Sequence, residues 1–107
     1  MAEKRRTPRG ERRARARAQE ELVHDLEEIA RRAPGGAADR PILVSSPAQV
    51  DVIATSVPCP LCEGALQLEE HAAEVVDGES RRIARLRCTS CGVRRAQYFR
   101  LGERPLH

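Results

Sequence analysis

Four cysteines are the residues of this chain best suited to chemistry, and they occur as two pairs with the same spacing. Cys59 and Cys62 belong to the segment PCPLCEG, and Cys88 and Cys91 belong to RCTSCGV. Each thiolate can donate a soft sulfur at about 2.3 Å to a tetrahedral Zn²⁺ ion, and the two-residue gaps let each pair hold one edge of the tetrahedron. The spacing predicts one structural zinc ion bound by all four cysteines.

Catalytic chemistry at these thiols is not favoured by the pattern. An isolated Cys-x-x-Cys beside a βαβ pattern would indicate thiol redox work, but this sequence has no βαβ pattern. A catalytic zinc ion needs an open coordination position, which four cysteines would close. The sequence shows no catalytic triad, phosphate-binding loop or paired carboxylates with a pocket, and we expect no enzyme. We also expect no metal role for the three histidines, His24, His71 and His107, and a solvated side chain at His71.

The composition indicates a small protein of the cytoplasm. With 107 residues, one Tyr, one Phe and no Trp, the chain has few bulky groups for a core, so a metal ion is expected to stabilise it. The first 19 residues, MAEKRRTPRGERRARARAQ, lack the apolar stretch of a signal peptide, and no apolar run approaches the ~18 residues of a membrane span. The abundance of Arg and Ala resembles proteins from GC-rich bacterial genomes.

A β-hairpin is predicted between the two cysteine pairs. The 25 intervening residues contain Asp77-Gly78, a signal for a two-residue turn. Residues 61–80 carry six acidic and no basic side chains, whereas residues 81–107 carry eight basic and one acidic. With Asp77 and Gly78 in the turn, paired residue numbers sum to 155, so opposite charges meet across the strands. The predicted pairs are Glu74 with Arg81, Ala72 with Ile83 and Glu70 with Arg85, and Arg94 to Leu101 can add a further strand.

Cys-Pro-Leu-Cys-Glu-Gly and Cys-Thr-Ser-Cys-Gly resemble the two knuckles of a zinc ribbon. In that family, a glycine just after the second cysteine of a knuckle relieves a tight turn whose backbone N–H groups point at the sulfurs. Gly92 matches this position, whereas Gly64 stands one residue later. The resemblance covers residues 57–101 and implies that the four cysteines are the ligands. Many zinc ribbons of transcription and ribosomal proteins bind nucleic acids, which makes nucleic acid an expected partner.

An amphipathic helix is predicted for residues 11–33. Leu22, Leu26, Ile29 and Ala33 recur at helical spacing, and the sequence Pro-Gly-Gly from residue 34 ends the helix. This apolar stripe must be covered either by the ribbon or by another chain, and its weak heptad spacing would permit a helix dimer. Residues 1–10 have no apolar periodicity and are predicted to form a disordered basic arm.

We therefore predict a small α+β protein with an N-terminal helix followed by a four-cysteine zinc ribbon of antiparallel strands. The predicted segments are an arm (1–10), a helix (11–33), a linker (34–56), the ribbon (57–102) and a tail (103–107). The linker begins like a strand near Ile42. For residues 47–54, the sequence is compatible with either a helix or a strand. A capping box formed by Ser46 and Gln49, with Pro47 at the first helical position, favours a helix, whereas the β-branched residues Val50, Val52 and Ile53 would suit a strand.

The expected function is binding of a macromolecule, and we favour nucleic acid over protein. Arginines of the arm and first helical turns would attract phosphates without sequence specificity, although they could equally form a solvated tail. The alternatives are a protein-interaction module that uses helix 11–33 and the ribbon, and a thiol redox or zinc-storage protein. A membrane partner is not expected, and Tyr98 and Phe99 are expected to pack on the metal site and not to stack on bases. The candidate nucleic-acid contacts are Arg5, Arg6, Arg9, Arg12, Arg13, Arg15, Arg17, Arg94 and Arg95.

Overall fold

A computed structural model describes residues 8–102 and has the predicted small α+β fold, an N-terminal helix followed by a sheet. The elements are α1 (Pro8–Arg32), β1 (Ile42–Val44), α2 (Pro47–Ser56), β2 (Leu66–Val76), β3 (Glu79–Cys88) and β4 (Arg94–Leu101). Most of the predicted arm and the whole tail, residues 1–7 and 103–107, lie outside the described residues. Within residues 8–102, no helix has the length and apolar character needed to cross a bilayer.

The four strands form one mixed sheet in the order β1-β4-β3-β2. The pairs β2–β3 and β3–β4 are antiparallel, as predicted for the ribbon. The short β1 adds a fourth strand that runs parallel to β4, with Ile42 paired to Phe99. The expectation of antiparallel strands alone was therefore incomplete, because a three-residue segment from the linker joins the sheet from the far side.

The β2–β3 hairpin has the predicted register over most of its length. Glu74 pairs with Arg81, Ala72 with Ile83 and Glu70 with Arg85. Asp77 and Gly78 both have positive φ, 52° and 80°, as a two-residue hairpin turn requires. The register then shifts by one between Leu68 and Glu70. This β-bulge at residue 69 places Leu66 and Leu68 on the same sheet face as their partners Cys88 and Leu86.

The core lies between α2 and this face of the sheet. Phe99 and Leu86 are its largest fully buried side chains, and both buried cysteines, Cys59 and Cys88, belong to the same cluster. Phe99 is buried in this cluster, but its register partner Arg82 lies six residues before Cys88 on β3. It therefore packs toward the end of the sheet away from the cysteines and not on the candidate metal site as predicted, and Tyr98 is half-buried. The remaining buried members of the cluster are Val44, Val50, Ala54, Leu66 and Ala84.

The segment whose structure was left open, residues 47–54, lies in helix α2, with Ser46 at the N-cap and Pro47 at the first helical position. The predicted capping box is wrong in detail. The Ser46 side chain makes no capping hydrogen bond, and Oε1 of Gln49 instead accepts a hydrogen bond of 2.7 Å from the backbone N–H of Ser45. The glutamine still satisfies an N–H at the helix start, one residue earlier than predicted.

Helix α1 differs from the rest of the chain because none of its residues is buried. It begins at Pro8, so residues 8–10 are helical, although they were assigned to a disordered arm. Leu22 and Ile29 of the predicted apolar stripe remain 58% and 65% exposed. Among the described residues, no Cα atom of α1 comes within 8 Å of another helix or strand. The sheet therefore leaves much of the stripe uncovered.

The turn after α1 fixes the direction in which the helix leaves the sheet. Gly35 has a φ of 80°, and its carbonyl accepts a hydrogen bond of 2.9 Å from the N–H of Tyr98. A Cβ atom on Gly36 would lie 1.9 Å from the carbonyl oxygen of Ala30. Glycine is required at both positions, since one backbone is left-handed and the other touches the preceding helical turn.

Candidate metal centre

The structure brings the four cysteines together at the open end of the β2–β3 hairpin. All four Sγ atoms lie within 4.8 Å of one another. Close separations join the two pairs, with 3.8 Å between Sγ of Cys59 and Sγ of Cys91 and 3.4 Å between Sγ of Cys62 and Sγ of Cys88. Within residues 8–102, this is the one group of three or more potential ligands that could hold a metal ion. None of the four is in a disulfide.

The two cysteine loops have the same backbone hydrogen bonds, which form a knuckle around each pair. In the first, the N–H of Cys59 donates to the carbonyl of Gly64 at 2.9 Å, and the N–H of Glu63 donates to the carbonyl of Cys59 at 2.7 Å. In the second, the N–H of Cys88 donates to Val93, also at 2.9 Å, and the N–H of Gly92 donates to Cys88 at 3.0 Å. The repeated spacing in sequence therefore corresponds to a repeated local structure.

The glycine that stands one residue late in the first knuckle has a different role from Gly92. The residue after the second cysteine is left-handed in both knuckles, with a φ of 63° at Glu63 and 78° at Gly92. Gly64 is needed for space, because a Cβ atom there would lie 2.6 Å from Oγ of Ser90 and 3.0 Å from Sγ of Cys88. The first knuckle thus keeps the same turn at Glu63 and uses its glycine to let the second knuckle approach.

Strand pairing holds the two knuckles next to each other. Cys88 ends β3 and pairs with Leu66 at the start of β2. Just beyond the strands, the carbonyl of Ala65 accepts hydrogen bonds of 2.9 Å from both the N–H and the hydroxyl of Thr89. The hairpin therefore determines where the two pairs of sulfurs meet.

Backbone N–H groups stabilise a thiolate at Cys88. The N–H groups of Cys91 and Ser90 each lie 3.4 Å from its Sγ. These contacts lower the pKa of Cys88 to about 6, and the N–H group of Cys91 contributes most. Desolvation by burial acts in the opposite direction and is outweighed. At Cys62, the backbone of Gly64 lowers the pKa, but hydrogen bonds with the other thiols, first Cys88, together with desolvation raise it to about 12. The backbone donors of the second knuckle thus favour the thiolate form of Cys88, which is the form that a metal ion binds.

The sulfurs suit a soft, tetrahedral metal ion. Four thiolates in one cluster are typical of zinc or iron sites, and they leave no ligand position for a substrate. Cys59 and Cys88 are buried, whereas Cys62 and Cys91 are exposed. The centre therefore lies at the edge of the core, with one buried and one exposed sulfur from each knuckle.

The histidines of the described residues lie apart from this cluster. The expectation of a solvated side chain at His71 is wrong. Its side chain is only 16% exposed, and its Nδ1 lies at hydrogen-bond distance, 2.9 Å, from Oδ1 of Asp51. The reason is that α2 packs over the sheet face that carries His71. His24 is exposed on α1, and His107 lies outside the described residues.

The candidate nucleic-acid contacts fall into separate groups. Arg9, Arg12, Arg13, Arg15 and Arg17 lie on α1, and Arg5 and Arg6 lie outside the described residues. On β4, Arg94 is 77% exposed and lies 3.5 Å from Glu69. The neighbouring Arg95 is only 10% exposed and forms an ion pair with Glu27 through both terminal nitrogens. Arg95 thus fastens α1 to the sheet, a role that differs from the predicted surface contact.

Sequence reasoning missed two features of these charges. The Arg95–Glu27 pair joins residues 68 positions apart, and no local pattern points to it. Arg87 was not selected as a candidate, yet it is exposed and lies directly opposite Arg94. Extending the antiparallel pairing to the third strand would have found that second feature.

No family model matches the chain, and no curated protein or solved structure shows a significant match to it.

Proposed function

We propose that the chain is a non-enzymatic protein of the zinc-ribbon type, whose four cysteines hold one structural Zn²⁺ ion and whose arginines bind nucleic acid. The clustering of four Sγ atoms within 4.8 Å supports the metal site. A closed set of four thiolates favours a structural ion over a catalytic one. The repeated knuckles support the resemblance to zinc ribbons, and reducing conditions in a cytoplasm would keep the thiols available.

Elemental analysis of the purified protein tests the metal and its identity. We expect one zinc ion per chain and its loss in Cys88→Ser. Iron in place of zinc would keep the structural role but overturn the metal assignment. A reduced, metal-free protein with an ordered hairpin and knuckles would overturn the structural role as well.

The arginines on α1 support nucleic acid as the partner. Arg9, Arg13 and Arg17 recur every four residues and so share one face over about 12 Å of helix. None of the three has an ion-pair partner among the described residues, whereas Arg15 lies 3.8 Å from Glu11. A row of exposed guanidinium groups on a helix that stands away from the sheet is suited to contact phosphates.

A salt series of fluorescence anisotropy measurements tests this partner. The probes are a mixed-sequence duplex of 20 base pairs in DNA and in RNA. We expect affinity to fall steeply with salt, and a variant with Arg9, Arg13 and Arg17 changed to Gln to bind roughly 100-fold or more weakly at 0.1 M salt. The control replaces Arg31 and Arg32 at the other end of α1, which both contact Glu28. Equal binding by the triple variant and the unchanged protein would remove α1 from the interface.

Protein binding is the second candidate, and the exposed apolar residues of α1 favour it. Leu22 and Ile29 are largely exposed, and a groove of about 530 Å³ lies between α1 and the sheet. A pull-down with and without nuclease separates the two partners. A partner that survives nuclease and is lost in Leu22→Gln/Ile29→Gln, but not in the exposed control Val75→Gln, would place protein binding ahead.

A further inference from the structure

Two arginines face each other on the sheet next to the candidate metal centre. Arg87 and Arg94 are register partners at the ends of β3 and β4. Arg87 directly precedes Cys88 of the second knuckle, and Arg94 lies two residues after Gly92 of the same knuckle. Directly opposed residues of an antiparallel pair have Cβ atoms about 4.5–5.5 Å apart and point to the same face. The two guanidinium groups therefore extend from one small area of the surface.

The stability of the fold does not explain why Arg87 and Arg94 lie opposite each other. Like charges directly opposite each other destabilise a sheet. Glu69 partly balances Arg94 at 3.5 Å, but Arg87 has no ion-pair or hydrogen-bond partner for its side chain within residues 8–102. By contrast, Arg85 lies within 3.3 Å of both Glu70 and Glu74. The hairpin thus supplies carboxylate partners to Arg85, two residues before Arg87, but none to Arg87 itself.

We propose that Arg87 and Arg94 form a phosphate-binding site for the backbone of a nucleic acid, separate from the arginines of α1. Guanidinium groups present paired N–H donors that match the oxygens of a phosphate. An anion between the two side chains would replace their repulsion by attraction. The inference rests on the proposed nucleic-acid function and adds a second contact surface beside the metal centre.

An acidic stretch of α1 lies between the Arg87–Arg94 site and the arginines at the start of the helix. The acidic residues Glu20, Glu21, Asp25, Glu27 and Glu28 follow Arg17 with no Arg or Lys between them. Arg94 lines the same groove as Leu26, and nine helical residues from Arg17 to Leu26 span about 14 Å. With the 12 Å of the basic face, a ligand that contacts both sites covers about 26 Å, or roughly eight base pairs at 3.4 Å each. The 20-base-pair probes are long enough for both contacts.

The test is the single substitution Arg87→Gln, with anisotropy measured on the same DNA and RNA duplexes. Removing one phosphate contact should lower affinity about eightfold at 0.1 M salt and reduce the salt slope by about 0.9. The melting temperature should stay the same or rise, because a like-charge opposition is relieved. Glu69→Gln should bind more tightly than the unchanged protein, since it frees Arg94. Zinc content is measured for each variant to show that the knuckles remain intact.

Arg100→Gln is the matched control. Arg100 is exposed on the same strand as Arg94, at the end away from the knuckles, and has no side-chain partner within residues 8–102. If Arg87→Gln changes affinity no more than Arg100→Gln, the site is overturned, and the proposed function still stands if the α1 triple variant loses binding. Loss in Arg87→Gln with no loss in the triple variant keeps this site and removes α1 from the interface. If the unchanged protein binds neither duplex, both proposals fail.

Discussion

The end of the sheet with the candidate metal centre is held in place in a different way from helix α1. At the knuckles, two buried cysteines join the same core as Leu86 and Phe99, and repeated backbone hydrogen bonds fix each loop. Helix α1 has no buried residue, and its exit turn and the Arg95–Glu27 ion pair attach it to the sheet. The buried cysteines of the candidate metal centre are therefore part of the core of the sheet, whereas α1 is attached at its C-terminal end.

The distribution of charge follows the same division. In the hairpin, acidic β2 faces basic β3, and Arg85 contacts two glutamates. Along α1, charges of one sign follow each other in blocks, so most of the arginines at its start have no partner among the described residues. Paired charges are suited to fixing a register, and unpaired blocks are suited to attracting an opposite charge from outside. The charges of the hairpin are thus paired within the sheet, whereas most arginines at the start of α1 are left for the proposed partner.

Loss of the metal should have the largest effect, and mainly on the sheet. Binding of structural zinc contributes on the order of 10–16 kcal/mol in small zinc domains, comparable to the whole stability of a small protein. We expect Cys88→Ser to bind no zinc and to lose cooperative unfolding of the sheet at 25 °C. Helix α1 should keep part of its circular dichroism signal, because its 25 residues exceed the length at which isolated helices become marginal.

Metal analysis, circular dichroism and amide NMR spectra measure both parts of this prediction. Chelation followed by zinc addition to the unchanged protein is the control, and it should restore the sheet. Cooperative unfolding of metal-free Cys88→Ser at the original midpoint would contradict the prediction.

Crowding between the knuckles gives the next largest effect. In Gly64→Ala, the new Cβ atom would meet Ser90 and Sγ of Cys88 at 3.0 Å or less. We expect a loss of about 1–3 kcal/mol in the free energy of unfolding and weaker zinc binding. Ser90→Gly in the same chain should restore most of the loss, since it removes the hydroxyl and its carbon. If the double variant is no more stable than Gly64→Ala, Ser90 is not the obstacle.

The cysteine spacing and the Asp77-Gly78 turn were enough to predict the candidate site and most of the hairpin. A two-residue turn fixes every antiparallel pair that follows it, and Glu70 and Arg85 are indeed partners. The same rule fails beyond the bulge, because it would place Leu68 opposite Arg87, on the face away from the core. The bulge forms because Leu66 and Leu68 must face α2, and that requirement depends on tertiary packing.

Pairings that join distant segments could not be read from the sequence. β1 has only three residues, and its parallel partner begins more than 50 residues later. Nor does the helical spacing of Leu22 and Ile29 reveal that the sheet leaves them exposed. Local turns and ligand spacing act over a few residues, whereas the position of α1 depends on contacts between distant segments, namely the hydrogen bond between Gly35 and Tyr98 and the ion pair between Glu27 and Arg95. The sequence therefore predicts the candidate metal centre and its hairpin better than the placement of the helix.

Breaking the Arg95–Glu27 ion pair should have an intermediate effect, mainly on α1. In Glu27→Gln, the largely buried Arg95 loses its charged partner, at an expected cost of about 1–2 kcal/mol. Hydrogen exchange should quicken in the last turns of α1 while the knuckles stay protected. Glu20→Gln on the same helix is the control, since Glu20 is exposed and has no partner within residues 8–102; it should change stability by less than about 0.5 kcal/mol. Equal effects of the two substitutions would show that the ion pair does not hold the helix.

The smallest effect is expected at the charge pairs of the hairpin. Arg85 lies 2.8 Å from Glu74 and 3.3 Å from Glu70, and its pKa is raised mainly by the hydrogen bond with Glu74. Cross-strand pairs contribute about 0.2–1 kcal/mol, so only double-mutant cycles can resolve them. We expect Glu70→Arg to destabilise the hairpin and the added Arg85→Glu to restore part of the loss. The cycle of Glu74→Gln with Arg85→Gln should give a larger coupling than that of Glu70→Gln with Arg85→Gln, because Glu74 lies closer. Couplings of zero in both cycles would mean that the paired charges do not fix the register, and that the sheet relies on its core and metal alone.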